Sequence, residues 1–71
     1  MNPGKKAIGI SVKCSRLAHG INQADMAEKV GVTSNTISNW ETGLSSIDID
    51  KAWDMADELG MSIDDLVGRC S

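Results

Sequence analysis

The chain has 71 residues, a formal charge of -3 and a pI near 4.8, with 41% hydrophobic residues but only 3% aromatic. That length suits one small domain, expected over residues 1–71, with an interior built from aliphatic side chains, Met and two Trp. No apolar run approaches the roughly 20 residues of a membrane span, and the basic start MNPGKKAIG lacks the apolar core of a secretory signal. A cytoplasmic protein without a membrane partner is expected.

In chain order, MNPG reads as the tip of a loose arm, taken as residues 1–5. A first helix is predicted over about 6–19, with Ile8, Val12, Arg16 and His19 on one stripe. Ile10, Cys14 and Leu17 form a second apolar stripe, for further core contact or a small partner surface. His19 belongs at the helix end, where the dipole favours a basic group. Asn22 precedes a second helix, about 23–30, as an N-cap able to accept from an orphan amide. Gly31 follows its last apolar residue, where a left-handed backbone is expected. Thr33 then caps a third helix, about 34–41.

Within NQADMAEKVGVTSNTISNWETG (22–43), Met26, Ala27, Val30, Val32, Ile37 and Trp40 supply a shared buried seam. Ala27 sits where the helices cross, and a larger side chain would separate them. Ser34, Asn35, Ser38 and Asn39 form the opposite, polar face at i, i+1, i+4, i+5. Two helices at 23–41 with one polar face to spare are the pattern of a helix-turn-helix that reads DNA. Asn disfavours helix interiors by several tenths of a kcal/mol relative to Ala. Two Asn and two Ser in so short a helix therefore suggest a role other than helicity, and Asn can bond an adenine edge twice.

A fourth helix is predicted over about 49–59, capped by Asp48, with Ile49, Ala52, Met55, Ala56 and Leu59 at helical spacing and Gly60 ending it. Ser62 caps a fifth, about 63–68, with Ile63, Leu66 and Val67 inward. No segment alternates with a two-residue period, so the fold class is all-α, five helices and no strand. Trp40 and Trp53 are both expected in the core. Cys14 and Cys70 are expected to be free thiols in a reducing compartment. No nucleophile–base pair, phosphate loop or metal-ligand cluster is legible. No enzyme activity, cofactor or metal is therefore expected.

These segments resemble the lambda-repressor-like family, the phage repressor and Cro group. VKCSRLAHGINQADMAEKVG (12–31) is similar to its first two helices, ETG (41–43) to the end of its recognition helix, and MADELGMSIDDLV (55–67) to its fourth and fifth helices. The resemblance covers about residues 7–67. It implies a compact five-helix domain that binds double-stranded DNA as a regulator of transcription, with the phage or mobile-element repressors as the nearest model. Gln23 matches a DNA-contacting Gln of the family, and Arg16 with Glu41 matches a buried ion pair. The expected DNA-binding set is Asn22, Gln23, Thr33, Ser34, Asn35, Thr36, Ser38 and Asn39, with Lys13 and Lys29 on phosphate.

A homodimer on a palindromic site is expected, with Leu44, Ile47 and Leu66 as contacts, since the family uses the loop after helix 3 and the last helix for this. The chain departs from the family in that loop: Leu44, Ser45, Ser46 and Ile47 stand where Lys or Arg is frequent. Helix 3 lacks the Arg that most often reads guanine.

Charge separates along the chain. Residues 1–43 hold five basic against three acidic residues, a balance of +2, and residues 44–71 hold two against seven, a balance of -5. The positive end can still face phosphate. The acidic half suggests a protein partner, so the alternative is an antitoxin-like or other protein-interaction module with DNA binding secondary or lost.

Overall fold

A computed structural model describes residues 4–68. Among these, five helices run in the order α1 (Lys5–Ala18), α2 (Gln23–Val30), α3 (Ser34–Thr42), α4 (Ile49–Leu59) and α5 (Ile63–Gly68), without a strand. The predicted bounds shift by one residue at α1 and at the end of α3. Lys5, assigned to the arm, opens α1 behind Gly4 at its N-cap; the rest of the arm, residues 1–3, lies outside the described residues.

Local chemistry accounts for most of the helix ends. Asn22 Oδ1 accepts from Asp25 N at 2.8 Å, Thr33 Oγ1 from Thr36 N at 3.2 Å and Ser62 Oγ from Asp65 N at 3.1 Å, each satisfying an orphan donor of a first turn. Asp48 holds the N-cap position of α4 without a side-chain cap hydrogen bond, which corrects the expectation for it. Gly31 ends α2 at φ 77°, in the left-handed region, and Val32 N then donates to Ala27 O at 2.9 Å. The chain turns there into α3. Lys51 Nζ reaches from α4 to Val30 O at 3.2 Å, placing a cation at the negative end of α2.

The core joins all five helices: Val12 from α1; Met26, Ala27 and Val30 from α2; Ile37 and Trp40 from α3; Ala52, Met55, Ala56 and Leu59 from α4; and Leu66 from α5. α3 packs on α1 and α2, while α4 packs on α2 and α5. Ala27 is 3% exposed, as a close crossing of α2 and α3 requires.

Several expectations change on packing. Trp53, expected in the core, is 54% exposed, because it lies about 110° around α4 from the centre of the stripe that Ala52, Met55, Ala56 and Leu59 bury. Ile49, at the edge of that stripe in the first turn, is also exposed. His19 is an exposed C-cap whose Nδ1 lies 2.8 Å from Ser15 O. Ile10 and Leu17 of the second α1 stripe are solvent-facing. Cys14 is disulfide-bonded, which corrects the free-thiol expectation. α5 folds back onto α1, so residues distant in sequence become neighbours and sequence spacing is a poor guide to thiol pairing. Cys70 lies outside the described residues.

Candidate nucleic-acid interface

Two fixed points orient α3. The first is a buried ion pair. Arg16 Nε donates to Glu41 Oε2 at 2.6 Å and Nη2 to Glu41 Oε1 at 3.1 Å, a two-point fork with side chains 6% and 2% exposed. Arg16 Nη1 donates to Ile21 O at 2.8 Å, and Gln23 Nε2 donates to Glu41 Oε1 at 2.9 Å. Four donors thus surround one carboxylate and one carbonyl, which is what keeps a buried charge pair from being a net cost. The network joins α1, the α1–α2 connection, the first residue of α2 and the end of α3.

The second fixed point is steric. A Cβ on Gly9 would run into the Trp40 carbonyl oxygen and stand 2.9 Å from the Glu41 carbonyl oxygen. Backbone of α1 and α3 therefore meet directly there. Sequence reading missed Gly9; the signal was available, since an interior helical Gly costs about 1 kcal/mol and calls for a packing reason.

Held in this way, α3 buries Ile37 and Trp40 and turns its other face outward. Ser34 and Asn35 are exposed, and Ser38 and Asn39 half-buried. Among the described residues, the side chains of these four make no hydrogen bond within the chain; Thr42 Oγ1 donates only to the carbonyl oxygens of Ser38 and Asn39. Their neighbours differ. Asn22 and Thr33 are caps, the Thr36 hydroxyl lies 2.9 Å from that of Thr33, and Gln23 is tied to Glu41. The expected DNA-binding set therefore divides into an unengaged group on α3 and a group that holds the two helix starts. Lys13 is exposed on α1. Lys29, in the last turn of α2, has Nζ 4.0 Å from Glu58 Oε2 on α4, a loose surface pair.

The residues expected at a dimer contact part company. Leu44 is 71% exposed in the α3–α4 loop. Ile47 leans on the chain's own core. Leu66 is completely buried, so it offers no surface to a partner, because it closes the core where α5 meets α1 and α4.

A short helix, a glycine turn and a second helix that keeps an unengaged polar face define a helix-turn-helix domain. A family model described as helix-turn-helix, HTH_3, matches residues 15–66, and the chain belongs to this lambda-repressor-like family. The antitoxin PezA of Streptococcus pneumoniae is 31% identical over 62 residues, which are 87% of this chain and 39% of the antitoxin's length. An HTH_3 family transcriptional regulator from Vibrio cholerae superposes with a TM-score of 0.81 at 26% identity, over 93% of this chain and 37% of that one. The clp gene regulator ClgR from Corynebacterium glutamicum shares the fold, with a TM-score of 0.83 at 22% identity over 87% of this chain and 66% of that one. The fold is thus that of HTH_3 DNA-binding transcriptional regulators. Among the described residues, no helix is long and apolar enough to cross a membrane.

Proposed function

We propose that this chain is a sequence-specific regulator of the Cro and repressor type, of phage or mobile-element character. Two copies lay α3 in successive major-groove segments about 34 Å apart, on a palindromic operator. The observation that carries this reading is the α3 face of Ser34, Asn35, Ser38 and Asn39, presented outward with side chains that make no hydrogen bond among the described residues. Asn35 and Asn39 read base edges, with adenine as the preferred partner. Asn22, Gln23, Thr33 and Thr36 set the register through the backbone at the two helix starts, and Lys13 and Lys29 meet phosphate. Leu44 and Ile47 form the small contact between copies.

The test is selection of bound duplexes from a random pool, followed by titration of Asn35→Ala. The variant is expected to lose about 1–3 kcal/mol on the selected site and much less on random duplex. Equal losses on both would overturn base reading by Asn35.

A second reading is favoured by the antitoxin PezA, to which the chain is 31% identical over 62 residues. In it, the chain is an antitoxin-like module whose main contact is protein, with DNA binding secondary or lost. Failure to bind any duplex even at low salt would favour that reading.

A further inference from the structure

The outer side of α4 is not explained by DNA reading. Ile49 and Trp53, one turn apart on adjoining surface, are 69% and 54% exposed. The helix buries the adjoining stripe of Ala52, Met55, Ala56 and Leu59. Asp50 and Asp57 stand beside Trp53, three residues before it and four after, and Asp54 lies further around the same surface; all three are exposed. Among the described residues no ion pair engages these three carboxylates: the pairs formed are Arg16–Glu41 and Lys29–Glu58. Lys51, the basic residue of α4, has its Nζ on Val30 O.

Lys51 and Glu58 mark the edge of α4 that faces α2. Helical geometry puts Ile49 and Trp53 on the other edge, away from α2.

We propose that this side of α4 docks a basic amphipathic segment of a protein partner. The segment's apolar residues cover Ile49 and Trp53, and its Lys or Arg side chains meet Asp50, Asp54 and Asp57. The chemistry selects the occupant. An indole face flanked by carboxylates attracts a cation both by its quadrupole and by charge-assisted hydrogen bonds. The same carboxylates repel nucleic acid and anionic lipid. They also oppose a second copy of this chain, which would set Asp50, Asp54 and Asp57 against their own counterparts across a two-fold axis. The docking site does not depend on the operator reading.

The test uses the full chain and a fluorescently labelled synthetic peptide of Leu and Lys, with Leu at the i, i+3, i+4, i+7 spacing of one helix face. Fluorescence anisotropy in buffer of about 0.15 M ionic strength reads binding without long-range charge effects. Saturable binding is expected. Trp53→Ala and the double variant Asp50→Asn with Asp57→Asn should each weaken it about tenfold or more. All three sites are exposed, and unchanged far-UV circular dichroism checks that the variants remain folded. Leu17→Ala, another exposed apolar position but on α1, should bind as the parent does. A peptide of equal charge with Ser in place of Leu should bind about tenfold less well. Unchanged affinity in Trp53→Ala, or equal binding of the Ser peptide, would overturn the proposal. So would self-association of the chain in sedimentation that Trp53→Ala abolishes, which would assign the face to a second copy.

Discussion

Gly9→Ala sets two effects of opposite sign against each other. At an open helical position this substitution stabilises by about 1 kcal/mol, because Ala has the higher helix propensity. At Gly9 the new methyl group would stand 2.9 Å from the Glu41 carbonyl oxygen and closer still to that of Trp40. A relaxed carbon–oxygen contact is about 3.3–3.6 Å. Both obstacles are backbone, so no side-chain rotation removes them, and α1 must back away from the end of α3. Overpacking of this kind costs about 1–3 kcal/mol, and an obstacle that cannot rotate puts Gly9 at the upper end. Displacing α1 also pulls Arg16 from Glu41, whose fork has little slack at 2.6 and 3.1 Å. The net expectation is a loss of about 2 kcal/mol after the propensity gain is subtracted. In a domain of this size that lowers the melting temperature by about 8–16 °C. Urea denaturation followed by far-UV circular dichroism measures it. A variant more stable than the parent would refute the claim that the helix backbones meet at Gly9.

Three further outcomes are expected. Glu41→Ala leaves the Arg16 guanidinium buried without its partner, at a cost of about 3–5 kcal/mol, a large share of the roughly 4–10 kcal/mol a chain of this length can hold; Arg16→Met with Glu41→Leu should recover most of it in the same melt. Gln23→Ala removes the hydrogen bond to Glu41 and should cost about 1 kcal/mol of stability; calorimetric melting checks this, and weaker binding to selected and random duplex alike would fit its register-setting role. Gly31→Ala meets no atom within 4 Å, so its cost should be the left-handed backbone alone, about 1–2 kcal/mol, read from the urea midpoint.

The helices and the turn were determined by the sequence itself because their causes are local. Apolar spacing, the caps Asn22, Thr33 and Ser62, and Gly31 each act within a turn of their own position, so reading them needed no knowledge of the fold. The outward face of Ser34, Asn35, Ser38 and Asn39 followed from periodicity in the same way. The Arg16–Glu41 pair became legible through the family resemblance, since nothing in local spacing relates those two positions. Tertiary packing alone decided the rest. It tied Gln23 to Glu41 and pressed Gly9 against the carbonyls of Trp40 and Glu41. It sent Leu66 into the core while leaving Ile49 and Trp53 in water, although all three are large apolar residues in helices. Periodicity defines which residues share a side of a helix, but the width of side that is covered depends on which neighbours arrive and how closely. On α4 the neighbours are α2 and α5, and they cover the stripe of Ala52, Met55, Ala56 and Leu59 without reaching Trp53.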